Sequence, residues 1–217
     1  MITEAQSNLQ TRTAGGEAFF QKILSHPLGE TSLAGYLHQM ELTGARWILE
    51  LPIETWTKKI HHHAKEEMKH SEIMHAEATR LRNRLEPSQT QGMNDAGDAI
   101  FEATQKYMDA IFKGCLKTVV QYPSIKGDQK RLANYYLLSL LLERRMMKTY
   151  PHVVQLASTR HFIDAAKKII SDERDHLKEI IAGVEEFVLP HGVDLDRVYA
   201  FEEVAYLEFQ ASYLGAL

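Results

Sequence analysis

The chain has a single cysteine, Cys115, among 217 residues. That scarcity excludes an internal disulfide framework, a thiolate zinc site and a rubredoxin-type iron centre, and it makes a cytoplasmic address the expectation. Long apolar runs are missing as well. The longest, Tyr135 to Leu142, is interrupted by Ser139, and nothing approaches the roughly 18–20 residues that span a bilayer, so no membrane contact is expected. The first dozen residues are polar and lack the apolar core of a secretory signal. There is no excess of positive charge: the formal net charge is −4, which argues against a broad nucleic-acid footprint. Alternating strand-like segments bounded by turn residues are also hard to find.

What is present is helical periodicity. Hydrophobic content of 44% and charged content of 25% are those of an ordinary globular chain. Apolar spacing predicts core helices over about 32–51, 54–86, 129–150 and 160–188. It predicts others over about 95–121 and 196–213, with a short one near 15–25. Thr31 or Ser32 reads as the cap of the first long helix. The stretch from Glu86 to Gly92 reads as a loop followed by a cap at Asn94 or Asp95, and Pro151 reads as the stop or kink of its helix. No low-complexity tract or long linker divides the chain. Residues 1–217 therefore read as one all-α domain, with 1–14 as a flexible tail.

Glu-x-x-His carries the chemistry. With 20 Glu and 11 His, about one chance occurrence is expected, so a lone match means little. The chain has three: Glu67/His70, Glu72/His75 and Glu173/His176. Residues three apart on a helix are neighbours and can offer both side chains to one ion. On the second long helix the inward stripe is Trp56, Ile60, His63, Glu67, His70, Met74, Ala78 and Leu81. Glu72 and His75 fall about 140° away, on the outer face. On the 160–188 helix the stripe is Phe162, Ala166, Ile169, Glu173, His176 and Ile180, so its Glu-x-x-His also points inward.

Two lone carboxylates complete the pattern. Glu143 is the only acid between Asp128 and Asp164 and shares a face with Leu132, Tyr136, Ser139, Met146 and Tyr150. Glu41 shares a face with Leu37, Gly44 and Ile48. A carboxylate on such a face needs a cation or a hydrogen-bonding network. At ~1.5 Å per residue, Glu41 and Glu67 lie at similar depths either side of the turn at Pro52, and Glu143 and Glu173 flank the turn near 151–160 in the same way. Two hairpins thus deliver Glu plus Glu-x-x-His to one level, twice. This is the arrangement of ferritin-like di-metal carboxylate bundles.

The segments Glu66-Glu67-Met68-Lys69-His70 and Asp172-Glu173-Arg174-Asp175-His176 resemble the paired acidic-Glu-x-x-His motifs of the ferritin-like di-iron superfamily. That superfamily includes multicomponent hydroxylases, acyl-carrier-protein desaturases and arylamine N-oxygenases. The resemblance implies a four-helix bundle with additional helices in the crossover between its second and third core helices and at the C-terminus. It implies two iron ions, with manganese as the alternative, bridged by Glu67 and Glu173 and terminally ligated by Glu41 and Glu143. Asp172 and Glu66 would accept from His70 and His176 across the bundle. The implied activity is dioxygen-dependent oxidation of a small or carrier-bound organic substrate by hydroxylation, desaturation or N-oxygenation, with electrons from a separate donor protein. The alternatives are a ferritin-type ferroxidase or iron store, and a peroxide-handling rubrerythrin relative or di-manganese catalase.

Other residues read more plainly. His63 is first a packed core histidine, with an extra ligand or substrate-side group as the alternative, and His38 reads the same way. Tyr136 and Tyr150 can donate to the carboxylates or pack in the core. Arg144-Arg145 reads as a solvated helix face, and His61 and His62 as surface residues. The C-terminal helix, with Tyr206, Phe209 and Tyr213, reads as core cover or a homodimer seam.

Overall fold

The computed structural model describes residues 16–51 and 57–217. The helices are α1 (16–24), α2 (Gly29–Leu49), α3 (Lys58–Arg82), α4 (Pro87–Val120), α5 (Asp128–Leu156), α6 (Arg160–Phe187) and α7 (Leu195–Ala216). A 3₁₀ turn spans Leu189–His191, and no strand occurs among the described residues. The expected tail at 1–14 and Trp56 lie outside the described residues. No helix among the described residues is long and apolar enough to cross a membrane.

Two hairpins, α2–α3 and α5–α6, pack most extensively. They meet through α3 and α6, while the pair α4–α7 lies against α2 and α5. The local chemistry explains most boundaries. Thr57 caps α3 by accepting from the Ile60 amide at 3.2 Å, and Asp194 caps α7 through the amides of Asp196 and Arg197. Glu30, in the first turn of α2, accepts from Ser158 Oγ at 2.8 Å and the Thr159 amide at 3.2 Å. It thereby ties the start of the first hairpin to the turn of the second.

Three boundaries correct the sequence reading. Residues 87–94 are helical, because Pro87 occupies the first turn, where its missing N–H costs nothing, and Glu86 and Gln89 form a capping box. α2 begins at Gly29, with Ser32 inside it donating to the Gly29 carbonyl at 3.1 Å. Pro151 does not end α5, which continues to Leu156. The following turn is packed tightly: His152 stacks on Phe20 of α1 at 4.7 Å, and Val153 is fully buried. Tertiary contact there outweighs the lost backbone bond.

A fourth correction concerns Arg145. It is buried, not solvated, because α7 covers its side of α5. Its guanidinium donates through Nε and Nη2 to Glu202 at 2.9 and 2.8 Å, and sits 3.5 Å over the Tyr206 ring. Tyr107 of α4 donates to the same carboxylate at 2.6 Å. Arg144 lies over Tyr199. α7 is thus core cover, with Tyr206, Phe209 and Tyr213 buried. Removing one partner strands the other charge in the interior. Arg145→Met is expected to cost about 3–5 kcal/mol in chemical denaturation, and the double variant Arg145→Met/Glu202→Met to recover most of that loss.

Candidate metal centre

Glu41 of α2, Glu67 and His70 of α3, Glu143 of α5 and Glu173 and His176 of α6 all turn inward, and none is more than 6% exposed. Glu72 and His75 are exposed. Two sets of four side chains each bring their ligand atoms within 4.8 Å of one another: His63, Glu67, Glu143, His176 and Glu67, His70, Glu173, His176. Glu67 and His176 belong to both, so the sets form one continuous cluster between α3, α5 and α6. Glu41 belongs to neither set. It adjoins the cluster beside Glu67 and Glu173, and one of its oxygens accepts from the Tyr150 hydroxyl.

The orientation of the imidazoles decides what the cluster can hold. Nε2 of His70 faces Asp172 Oδ2 at 3.2 Å, and Nε2 of His176 faces Glu66 Oε2 at 2.8 Å. A carboxylate only accepts, so Nε2 carries the proton, and in the neutral ring Nδ1 is left as a lone pair aimed at the cluster. His70 Nδ1 lies 3.0 Å from Glu173 Oε1, and His176 Nδ1 lies 3.1 Å from Glu67 Oε1. Neither contact has hydrogen-bonding direction. Both Nδ1 atoms, Glu67 Oε1, Glu143 Oε2 and both Glu173 oxygens are buried without a hydrogen-bond partner. Lone pairs converging on one another at contact distance are stable around a cation. These buried histidines and glutamates can hold a metal ion.

Electrostatics gives the same result. Burial, then the charges of neighbouring glutamates, pushes the Glu41 and Glu143 carboxyls well above the usual range. Burial acts the same way on Glu67 and Glu173, but the polar groups crowded against them override it: His176 and His63 hold Glu67 well below its ordinary value, and Glu143, His176 and His70 bring Glu173 down to about 2. Burial disfavours a charged His176, yet Glu173 and Glu67 against it raise its pKa to about 11, and His70 moves in the same direction. Without a metal, the cluster gathers protons where positive charge is needed.

His63 differs from the other two histidines. Its Nε2 lies 2.8 Å from Glu143 Oε1 and 3.3 Å from Glu67 Oε1, while Nδ1 meets the Tyr135 hydroxyl at 2.8 Å. A hydroxyl can donate or accept, so His63 can offer a lone pair to an ion or donate to Glu143 without one. The sequence signal was present, since His63 stands one turn before Glu67 on the inward stripe. Tyr136, by contrast, does not reach the carboxylates. Its ring stacks on Phe187 at 5.4 Å and fills the space left by Gly183, where a Cβ would come 2.0 Å from Tyr136 Cε1. The tyrosines that reach the site are Tyr135 and Tyr150. His38 stays outside it, donating from Nδ1 to the Ser71 carbonyl at 3.0 Å.

An open cavity of about 310 Å³ reaches the cluster from one side, at His63, Glu67 and Glu143. Gly44 and Ser139 leave it room, and α4 contributes Phe112 and Leu116 to its wall. Comparison with protein-family models, with curated proteins and with solved structures gives no match in any of the three. The chemistry of the site therefore rests on its own residues.

A metal displaces the protons that the cluster otherwise holds. Adding ferrous or manganous ion to metal-free protein in weak buffer is expected to release protons, read with an indicator dye. Affinity is expected to fall on acidification, because protons then compete for the same lone pairs. Glu67→Ala and His176→Ala should each abolish the proton release.

Proposed function

We propose that the protein is a non-haem di-iron oxidoreductase of the ferritin-like type, which uses dioxygen to oxidise an organic substrate held in the cavity beside the cluster. The observation that carries this reading is the cluster of buried, unpartnered carboxylate oxygens and Nδ1 atoms, which an accessible, largely apolar cavity reaches at Glu67 and Glu143. A hard oxygen-rich set with two imidazoles and no sulfur ligand suits iron, with manganese as the alternative. Bound iron would supply the reduction of dioxygen and the oxidising power for the substrate.

The chain's own residues have separable tasks. Glu41, Glu67, His70, Glu143, Glu173 and His176 would hold two ions, with His63 as a seventh candidate ligand. Asp172 and Glu66 fix the tautomers of His70 and His176, so that Nδ1 stays available. Tyr150 holds Glu41 by donating to it. Tyr135 orients His63. The apolar walls keep bulk water from the reacting end. Electrons for repeated turnover would come from a separate donor protein.

The test is anaerobic loading with ferrous iron, a metal count per chain, and then exposure to oxygen with optical monitoring. The expected outcome is about two irons per chain, with rapid oxidation and no further uptake. Only trace binding would refute the reading. Large assemblies that accumulate many irons per chain would favour storage, and fast peroxide turnover by the manganese form would favour a catalase.

A further inference from the structure

The two ends of the cavity differ chemically. At the inner end stand His63, Glu67 and Glu143. Between the ends the walls are apolar: Trp47 and Ile48 of α2, Phe112 and Leu116 of α4, and Leu138 and Leu142 of α5. At the outer end, on the first turns of α5, are Lys130, Arg131 and Asn134. Neither Lys130 nor Arg131 forms an ion pair with a described residue, although Glu50 also lines the cavity. Asn134 Oδ1 is buried and has no hydrogen-bond partner. Because the amide's oxygen and nitrogen can exchange places by rotation, this group can accept or donate.

Two cations against one acid at the outer end, an apolar wall and an oxidising centre at the inner end define a ligand. We propose that the cavity binds an organic acid with a slender apolar body, its carboxylate at Lys130 and Arg131 and its far end at His63, Glu67 and Glu143. The inference rests on the oxidoreductase reading for its meaning and goes further by naming the substrate class. Arg131 and Glu143 are twelve residues apart on one helix, a rise of ~18 Å. That separation sets the longest span a ligand can cover, and a straight-chain acid of about twelve carbons fits within it. A carrier-bound acyl group has no free carboxylate to place at the two cations.

Binding to metal-free protein tests this independently of the iron chemistry. Calorimetric titration with dodecanoate, below its micelle concentration, is expected to show one site. Dodecanol and dodecylamine should bind at least about ten-fold more weakly, as expected for loss of a charge-assisted contact. Dodecyl phosphate separates a preference for carboxylate from a preference for any anion, and the proposal requires dodecanoate to bind at least as well. Lys130→Met/Arg131→Met should weaken dodecanoate by a similar factor and leave dodecanol unchanged. Gly44→Leu should abolish binding of both, since a Cβ there already lies 3.7 Å from Glu67 Oε2 and Leu142 Cδ1. An unchanged thermal melt would show that the variant is folded. Equal binding of acid, alcohol and amine, indifference to the double substitution, or no binding at all would overturn the proposal. Because no metal is present, each of these failures leaves the iron count untouched, so the two readings can fail separately.

Discussion

Putting several ionisable groups into the middle of a helical bundle is the constraint on which the rest of the structure depends. An isolated charge in a low-dielectric interior is prohibitively costly, so it must be paired, protonated or bound to metal. This protein contains buried acids that illustrate different solutions. Glu202 is matched by a bidentate arginine and a tyrosine hydroxyl. Glu77 is matched by Arg80 at 2.6 Å and by His161. Both are closed arrangements made from the chain's own groups, and both join helices.

The central cluster is not closed in that way. Its imidazoles spend their Nε2 protons on acids at the rim, Asp172 and Glu66, and turn their lone pairs inward towards glutamates. An arrangement built only for stability would orient these rings the other way, or would use arginine as Glu202 and Glu77 do. The inward orientation makes sense if positive charge is to come from outside the polypeptide. The hairpins α2–α3 and α5–α6 bring the groups to one depth, and α4 contributes Phe112 and Leu116 to the wall of a cavity that reaches them.

Much of this was legible in the sequence because the helix period is a strong filter. Two of three Glu-x-x-His matches fell on inward stripes, while Glu72 and His75 fell outside, and the structure places all six residues on the corresponding faces. Depth could be read from rise per residue, which brought in Glu41 and Glu143. The missed features depend on what a face meets, which periodicity does not encode. Arg145 lies on the flank of α5 that α7 happens to cover. Tyr135 and Tyr136 differ only by the 100° that sends one to α3 and the other into the gap at Gly183. The helical start at Pro87 was hidden because proline signals both a break and a first turn. His63 was visible but ambiguous, since its role depends on whether Tyr135 donates or accepts.

The central claim is that the cluster is a metal site whose histidines bind through Nδ1. Diffraction from crystals soaked with ferrous iron, with anomalous differences collected at the iron edge, tests it most directly. The account predicts strong peaks among Glu67, Glu143, Glu173, His70 and His176, with both rings ligating through Nδ1 and still bonded to Asp172 and Glu66 through Nε2. Peaks absent from the cluster, or rings ligating through Nε2 with the acids released, would contradict it.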